Sequence, residues 1–271
     1  MRPLLKWAGG KRSLIRRIMD LFPGDYRDRR YHEPFFGGGA VFFHVEPGRG
    51  SINDINPRLM NFYRVVRDRP DELIEEASGY RYDEGEYYLR RETFNSEGLS
   101  EVEYAALLLY LNKTAYNGLF RVNSRGEFNV PFGRYVDPTI VKPRSIARAS
   151  RLLRNVEIRS EGFDYILDVA EKGDLCYLDP PYHPASETAN FTDYASSGFK
   201  MGDQERLRDI CAELDGRGVA FVLSNSDTGL VRELYGGVPD LRVVSFKTRR
   251  MISSKVSSRG SGYDLLITNI D

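Results

Sequence analysis

The stretch YHEPFFGGGAVFFHV, residues 31–45, decides the fold. Tyr31 to Glu33 reads as a short strand. Pro34-Phe35-Phe36 follow, then Gly37-Gly38-Gly39, and Ala40 to Val45 is apolar at helical spacing. Strand, glycine turn and helix in that order open an α/β unit. Glycines after a strand let the backbone approach a ligand closely and turn into a helix. Ser51 to Ile55 reads as a second short strand ending in acids and amides. Asp54, near its end, stands where a carboxylate can bind the ribose hydroxyls of a nucleotide-like ligand. Three glycines alone are a weak signal, since such a turn is more often purely structural.

Upstream, KWAGGK (6–11) carries the single tryptophan, Trp7, and leads into Lys11 to Phe22, apolar at helical spacing. Downstream, Leu59 to Val66, Pro70 to Ala77, Tyr87 to Phe94 and Glu101 to Leu111 read as helices. Asn117 to Phe132, rich in Gly and Asn, reads as an exposed hairpin or loop. The α/β pattern then resumes. Val156 to Ser160, Leu175 to Leu178, Val219 to Leu223, Leu241 to Phe246 and Asp264 to Asn269 are expected strands, and Gln204 to Leu214 and Val231 to Tyr235 expected helices. Thr248 to Gly262 reads as a mobile basic loop. The expected architecture is an α/β sheet covered by helices on both faces, from 1–55 and 138–271. A mostly helical insertion, 56–137, carries the hairpin near 117–132.

A chain of 271 residues fits one domain or a core with one inserted domain. Net charge is zero, but the charge is segregated. Residues 110–154 hold nine Lys/Arg and two acids, residues 242–259 six and none, and residues 71–103 eleven acids and three arginines. Such segregation suits basic surfaces that follow a phosphate backbone, or equally solvated helix faces. The longest apolar run, Ala105 to Leu111, is too short to span a bilayer. MRPLLKWAGGK contains no apolar signal-peptide core, so residence in the cytoplasm is expected. Cys176 and Cys211 lie in apolar stretches and read as small core residues. His32, His44 and His183 are scattered, so no metal site is expected.

DPPY (179–182) directly follows the expected strand Leu175 to Leu178. Two prolines fix the backbone and cannot continue a sheet, so they present Asp179 and Tyr182 at the strand's carboxyl end. An exocyclic amine on adenine is a poor nucleophile, because its lone pair is delocalised into the ring. Asp179 and a main-chain carbonyl near Pro180 can each accept a hydrogen bond from such an amine and favour a pyramidal nitrogen. Tyr182 offers a flat face for an extruded base. A structural proline turn is the plainer alternative.

Taken together the chain resembles the Dam-type DNA adenine methyltransferases, the D12 class of the α group, including relatives from restriction systems that act at GATC. The resemblance runs from Leu5 to Ile270. It rests on KWAGGK (6–11), EPFFGGGAVFF (33–43), IND (52–54), YNGLFRVNSRGEFNVPFGRY (116–135), YLDPPY (177–182), SETANFT (186–192), LSNSDT (223–228) and SSRG (257–260). It implies a Rossmann-like sheet using S-adenosyl-L-methionine, with the insertion as DNA-recognition domain and double-stranded DNA as partner. Trp7, Lys11, Asp54 and Asp179 would line the cofactor pocket, with Phe36, Gly37 and Gly39 from the glycine loop. Asp179, Pro180 and Tyr182 would hold the flipped adenine.

By the same resemblance Arg121 would read guanine bidentately in the major groove. Leu119 and Pro131 would touch thymine or neighbouring bases, and Tyr116 and Asn117 would wedge into the stack. Asn123, Asn129 and Arg134 would contact phosphates. Lys113-Thr114-Ala115 lacks a bulky residue that some relatives carry before the wedge, which leaves the wedge geometry open. His183 is not expected to act as a base, because the amino group loses its proton readily once methylated. RNA adenine, a cytosine amine, a protein glutamine and a non-catalytic DNA-binding module are the alternatives. Asp179 and the basic insertion favour DNA adenine.

Overall fold

The computed structural model describes residues 1–11, 13–182, 199–249 and 261–271. In chain order, α1 (Ile15–Met19) and β1 (Tyr31–Glu33) precede α2 (Phe42–Val45) and β2 (Gly50–Asn53). Then come α3 (Pro57–Asp68), α4 (Pro70–Ser78), α5 (Glu84–Phe94) and α6 (Glu101–Thr114). They are followed by α7 (Pro143–Leu153), β3 (Val156–Arg159), α8 (Ile166–Val169) and β4 (Leu175–Leu178). The last elements are α9 (Met201–Gly216), β5 (Ala220–Ser226), α10 (Gly229–Gly236), β6 (Arg242–Arg249) and β7 (Ser261–Thr268). These elements form a mixed α/β, Rossmann-like fold. They group into two compact units, Met1–Ile15 with Phe36–Gly162 and Arg16–Phe35 with Phe163–Asp271.

In the second unit the strands run in the order β1-β4-β5-β7-β6. β1, β4 and β5 are parallel, and β7 is antiparallel to β5 and β6. All four residues of β4 are buried, as a parallel strand covered on both faces requires. Side chains alternate along each strand, so Cys176 and Leu178 share a face with their neighbours Phe221 and Leu223. That face packs with Leu207, Ile210, Cys211 and Leu214 of α9 in one apolar cluster. Tyr177 points the other way. The ladder between β4 and β5 ends at Leu178↔Leu223, just before Pro180 and Pro181, which have no N–H to donate. β5 runs on, pairing Ser224, Asn225 and Ser226 with β7.

In the first unit β2 and β3 pair in parallel from Gly50↔Val156 to Asn53↔Arg159. α6 is apolar nearly all round, with Ala105 to Asn112 buried, so it forms the centre against which α3, α4 and α5 pack. A capping box starts it: Glu103 N donates to Ser100 Oγ at 3.3 Å, and Ser100 N donates to Glu103 Oε2 at 2.8 Å.

Three sequence expectations need adjustment. Among the described residues, the helix expected over Lys11 to Phe22 is α-helical from Ile15 to Met19. Leu14 N bonds Lys11 O in a turn before it, and i→i+3 bonds from Leu21 and Phe22 tighten its end ahead of Pro23. α7 was not expected at all; it has Pro143 in its first turn and buries Ile146, Ala149 and Leu153. Within the expected loop Thr248 to Gly262, β6 extends to Arg249 and β7 begins at Ser261, while 250–260 lie outside the described residues. His183 and the segments SETANFT and SSRG also lie outside them.

Ser100→Ala removes the first-turn cap of the central helix. It is expected to lower stability by about 1 kcal/mol, with Ser100→Gly costing only a few tenths. Thermal or urea unfolding in which Ala and Gly cost the same, or neither costs anything, contradicts this role for the cap.

Candidate functional site

In the first unit the glycine loop is built on the end of β2. Phe36 N donates to Asn53 O at 2.8 Å, and Gly39 N closes a turn onto Phe36 O at 2.8 Å. Asp54 holds the loop from beneath. Its Oδ2 accepts from Gly37 N and its Oδ1 from Asn56 N, both at 2.9 Å. Burial pushes the Asp54 carboxyl up, and the N–H groups of Asn56 and Gly37 pull it back down. A carboxylate has about four acceptor sites, so two backbone bonds leave capacity for a ligand's hydroxyls.

Trp7 and Phe36 close on this loop. A Cβ on Gly37 would stand 3.0 Å from Trp7 Cδ1, and one on Gly39 would stand 2.5 Å from Phe36 Cζ. Both glycines also have positive φ, +50° and +66°, so no side chain fits there without strain. Phe36 is itself fixed by an edge-on contact with Tyr63, 4.7 Å between ring centroids. Lys11 is buried and donates from Nζ to Gly9 O at 2.8 Å.

The same unit ties KWAGGK to the hairpin segment, a connection that sequence reasoning missed. Asn112, buried in α6, accepts from Lys6 N at 2.8 Å and donates to Lys6 O at 2.7 Å and to Gly118 O at 3.2 Å. Trp7 stacks on Phe120, with centroids 5.1 Å apart and planes 24° from parallel. Lys113 Nζ donates to Leu4 O. Burial, with Lys142 and Lys6 nearby, pulls the Lys113 amine down to about 8. The available signal was polar Asn112 at the end of an apolar helical run.

Residues 115–133 form an irregular hairpin with bridges Ala115↔Phe132 and Val122↔Phe128. Tyr116, Asn117, Pro131, Arg134 and Tyr135 line one groove of about 460 Å³, together with Tyr88. Tyr116 is 54% exposed, and Asn117 stands beside it with φ of 54°. Leu119 and Arg121 are exposed on the hairpin arm. Arg121 Nε donates to Asn129 Oδ1 at 2.8 Å and its Nη2 to Asn129 O at 3.3 Å. That use of one edge leaves the guanidinium's end-on N–H pair for another acceptor. Asn123 is engaged within the turn: Oδ1 accepts from Arg125 N and Glu127 N, and Nδ2 donates to Glu127 Oε2 at 2.7 Å. Its observed role is to shape the hairpin tip.

In the second unit Asp179 stands where β4 leaves the sheet. Its Oδ1 accepts from Ser224 Oγ at 2.8 Å, and Ser224 Oγ lies 3.1 Å from Tyr177 OH. Pro181 O accepts from Gln204 Nε2 at 3.3 Å, and Gln204 Oε1 accepts from Asn225 Nδ2 at 3.1 Å. Pro180 is buried and Tyr182 half-buried. Tyr177, Ser224 and Asn225 lie within YLDPPY and LSNSDT but were given no role from sequence, and Gln204 was not singled out at all. Cys176 and Cys211 are free and buried, and burial pushes both thiols up, which keeps them unreactive. Among the described residues no helix is long and apolar enough to cross a membrane.

A family model described as the D12 class of N6 adenine-specific DNA methyltransferases matches residues 7–252. The chain belongs to this family. The methyltransferase is 42% identical to a type II methyltransferase of Lactococcus lactis subsp. cremoris, over 99% of this chain and 95% of that one. It is 40% identical to a type II methyltransferase of Methanocaldococcus jannaschii, over 99% of each. A DNA adenine methylase of Serratia marcescens is 39% identical, over 98% of this chain and 97% of that one. The methyltransferase is therefore an adenine-specific DNA-modifying enzyme.

The glycine loop of this methyltransferase gives a direct test. Gly39→Ala places a Cβ against the Phe36 ring in a left-handed backbone and is expected to cost about 1–3 kcal/mol. Gly24→Ala, where a Cβ meets nothing within 4 Å, serves as control. Equal unfolding midpoints for the two variants contradict the packing described.

Proposed function

We propose that the methyltransferase uses S-adenosyl-L-methionine to methylate the exocyclic amine of adenine in double-stranded DNA, at GATC, on a base turned out of the helix. The observation that carries the chemistry is Asp179, held by Ser224 at the carboxyl end of a fully buried strand. The glycine loop, with Trp7 against it and Asp54 beneath it, suits a nucleoside with two ribose hydroxyls. Trp7, Lys11, Phe36, Gly37, Gly39 and Asp54 are the residues we assign to cofactor binding. The cofactor, when bound, supplies an electrophilic methyl group.

Asp179 accepts a hydrogen bond from the adenine amine, and the Pro180 carbonyl accepts the other. Two acceptors on one amine localise its lone pair and orient it for attack. Tyr182 stacks on the extruded base, whose removal from the duplex costs a few kcal/mol. No strong base is needed, because the methylated amine loses its proton readily.

Residues 56–137 are proposed as the recognition domain, on 1–55 and 138–271 as the catalytic part. Arg121 is assigned to the first guanine, since its end-on N–H pair matches guanine's two acceptors. Leu119 and Pro131 meet neighbouring bases, Tyr116 and Asn117 enter the stack, and Asn123, Asn129 and Arg134 meet phosphates. The hairpin's resemblance to GATC-specific relatives supports the target sequence. Methylation of a random duplex library and of RNA, with the modified positions mapped, tests substrate and sequence together. Marking of another sequence, or of RNA in preference, overturns the corresponding part.

Asp179→Ala is expected to abolish methyl transfer with the fold intact. Activity within about tenfold of the parent, about 1.4 kcal/mol in the barrier, contradicts its assignment.

Arg121→Ala is expected to lose about 1–3 kcal/mol of discrimination at the first base pair alone. Arg134→Ala should instead weaken binding across all sequences and reduce the salt slope by about one. Unchanged preference at the first base in Arg121→Ala overturns the guanine contact.

A further inference from the structure

We propose that Ser224 is a positioning residue for the methyl-transfer step, acting through Asp179 and itself oriented by Tyr177. The inference rests on the reading of Asp179 given above.

The sheet geometry brings the three together. Tyr177 and Asp179 are two residues apart on one chain segment, so they share a face. Ser224 follows Leu223, the last β5 residue paired with β4, and so stands level with Asp179 on that same face. β5 reaches this point only because β7 keeps pairing with it after β4 has ended. Ser224 is fully buried, as is Tyr177.

The direction of the hydrogen bonds follows from donor counting. A serine hydroxyl has one hydrogen, and Ser224 donates it to Asp179 Oδ1 at 2.8 Å. The 3.1 Å contact with Tyr177 must then run from Tyr177 OH to Ser224 Oγ. Tyr177 keeps its hydrogen, because burial and the neighbouring Asp179 push its phenol well above the usual range. The relay therefore has one polarity, phenol to serine to carboxylate. It commits Oδ1 and sets the carboxylate plane, and with it the direction in which the remaining lone pairs point.

A second brace works on the backbone of the same turn. Asn225, on the opposite face of β5, donates to Gln204 of α9, which donates to Pro181 O. Two successive residues of β5 thus hold the side chain and the main chain of one DPPY turn. A buried serine and asparagine following the apolar run of β5 have a use here that packing alone does not give them.

The test is single-turnover methylation of an adenine duplex at saturating cofactor, alongside cofactor and DNA affinities by calorimetry. Ser224→Ala is expected to slow transfer about 10- to 100-fold, the equivalent of one hydrogen bond to a charged group. Both affinities should stay within about twofold of the parent, because the contact acts on orientation in the transition state. Ser224→Thr keeps the hydroxyl and should restore most of the rate. Tyr177→Phe, which removes one oxygen only, should slow transfer less. Added to Ser224→Ala it should change nothing further, since Tyr177 acts through Ser224.

Loss of rate shared equally by Ser224→Ala and Ser224→Thr overturns the proposal, as do additive effects in the double variant. If Ser224→Ala fails to fold, Tyr177→Phe carries the test, and a parental rate there overturns it. A parental rate in Ser224→Ala with Asp179→Ala inactive rejects the positioning role and leaves the catalytic reading standing. A parental rate in Asp179→Ala rejects that reading itself.

Discussion

A pair of missing N–H groups governs the unit that carries the DPPY turn. Pro180 and Pro181 cannot donate to a ladder, so β4 ends after Leu178 while β5 runs three residues further beside β7. That inequality of length creates a step at the carboxyl end of β4. The longer strand supplies Ser224 and Asn225 to hold what the shorter one presents. A DPPY turn at the end of equal strands would have only its own backbone to support it. The apolar cluster of Cys176, Leu178, Phe221 and Leu223 under α9 makes the step rigid from the opposite face.

The other unit solves a related problem with a buried carboxylate. A loop of three glycines has little intrinsic preference for one conformation. Asp54 chooses one by accepting from Gly37 and Asn56, and the rings of Trp7 and Phe36 exclude the alternatives sterically. The cost is desolvation of Asp54, which is why its carboxyl rises despite two hydrogen bonds. Burial of this kind is tolerated where a group is needed for more than stability.

Much of this was legible in sequence. Tyr31 to Glu33, the glycine turn and the DPPY strand follow from strong local signals: glycine, proline and short apolar runs. The four helices α3 to α6 follow from apolar periodicity, and the caps Asn56, Asp83 and Ser100 fix the starts of α3, α5 and α6. α7 escaped because its buried stripe is only Ile146, Ala149 and Leu153 among four arginines in or beside it, Arg144, Arg148, Arg151 and Arg154. The roles of Asn112, Ser224, Gln204 and Asn225 escaped for a different reason. Each is a polar residue whose partner is distant in sequence, and no local pattern encodes such a pairing. Asn123 shows a further limit: the sequence places a polar residue in an exposed segment, but only the structure shows that its side chain also builds the turn.

The stacking of Trp7 on Phe120 has an optical consequence. The chain contains one tryptophan, so its indole emission arises from one place only. That place touches the glycine loop on one side and, through Phe120, the residue next to Arg121 on the other. The enzyme therefore carries a built-in fluorophore at the junction of its loop and its hairpin, and quenching or spectral shift reads both without a label.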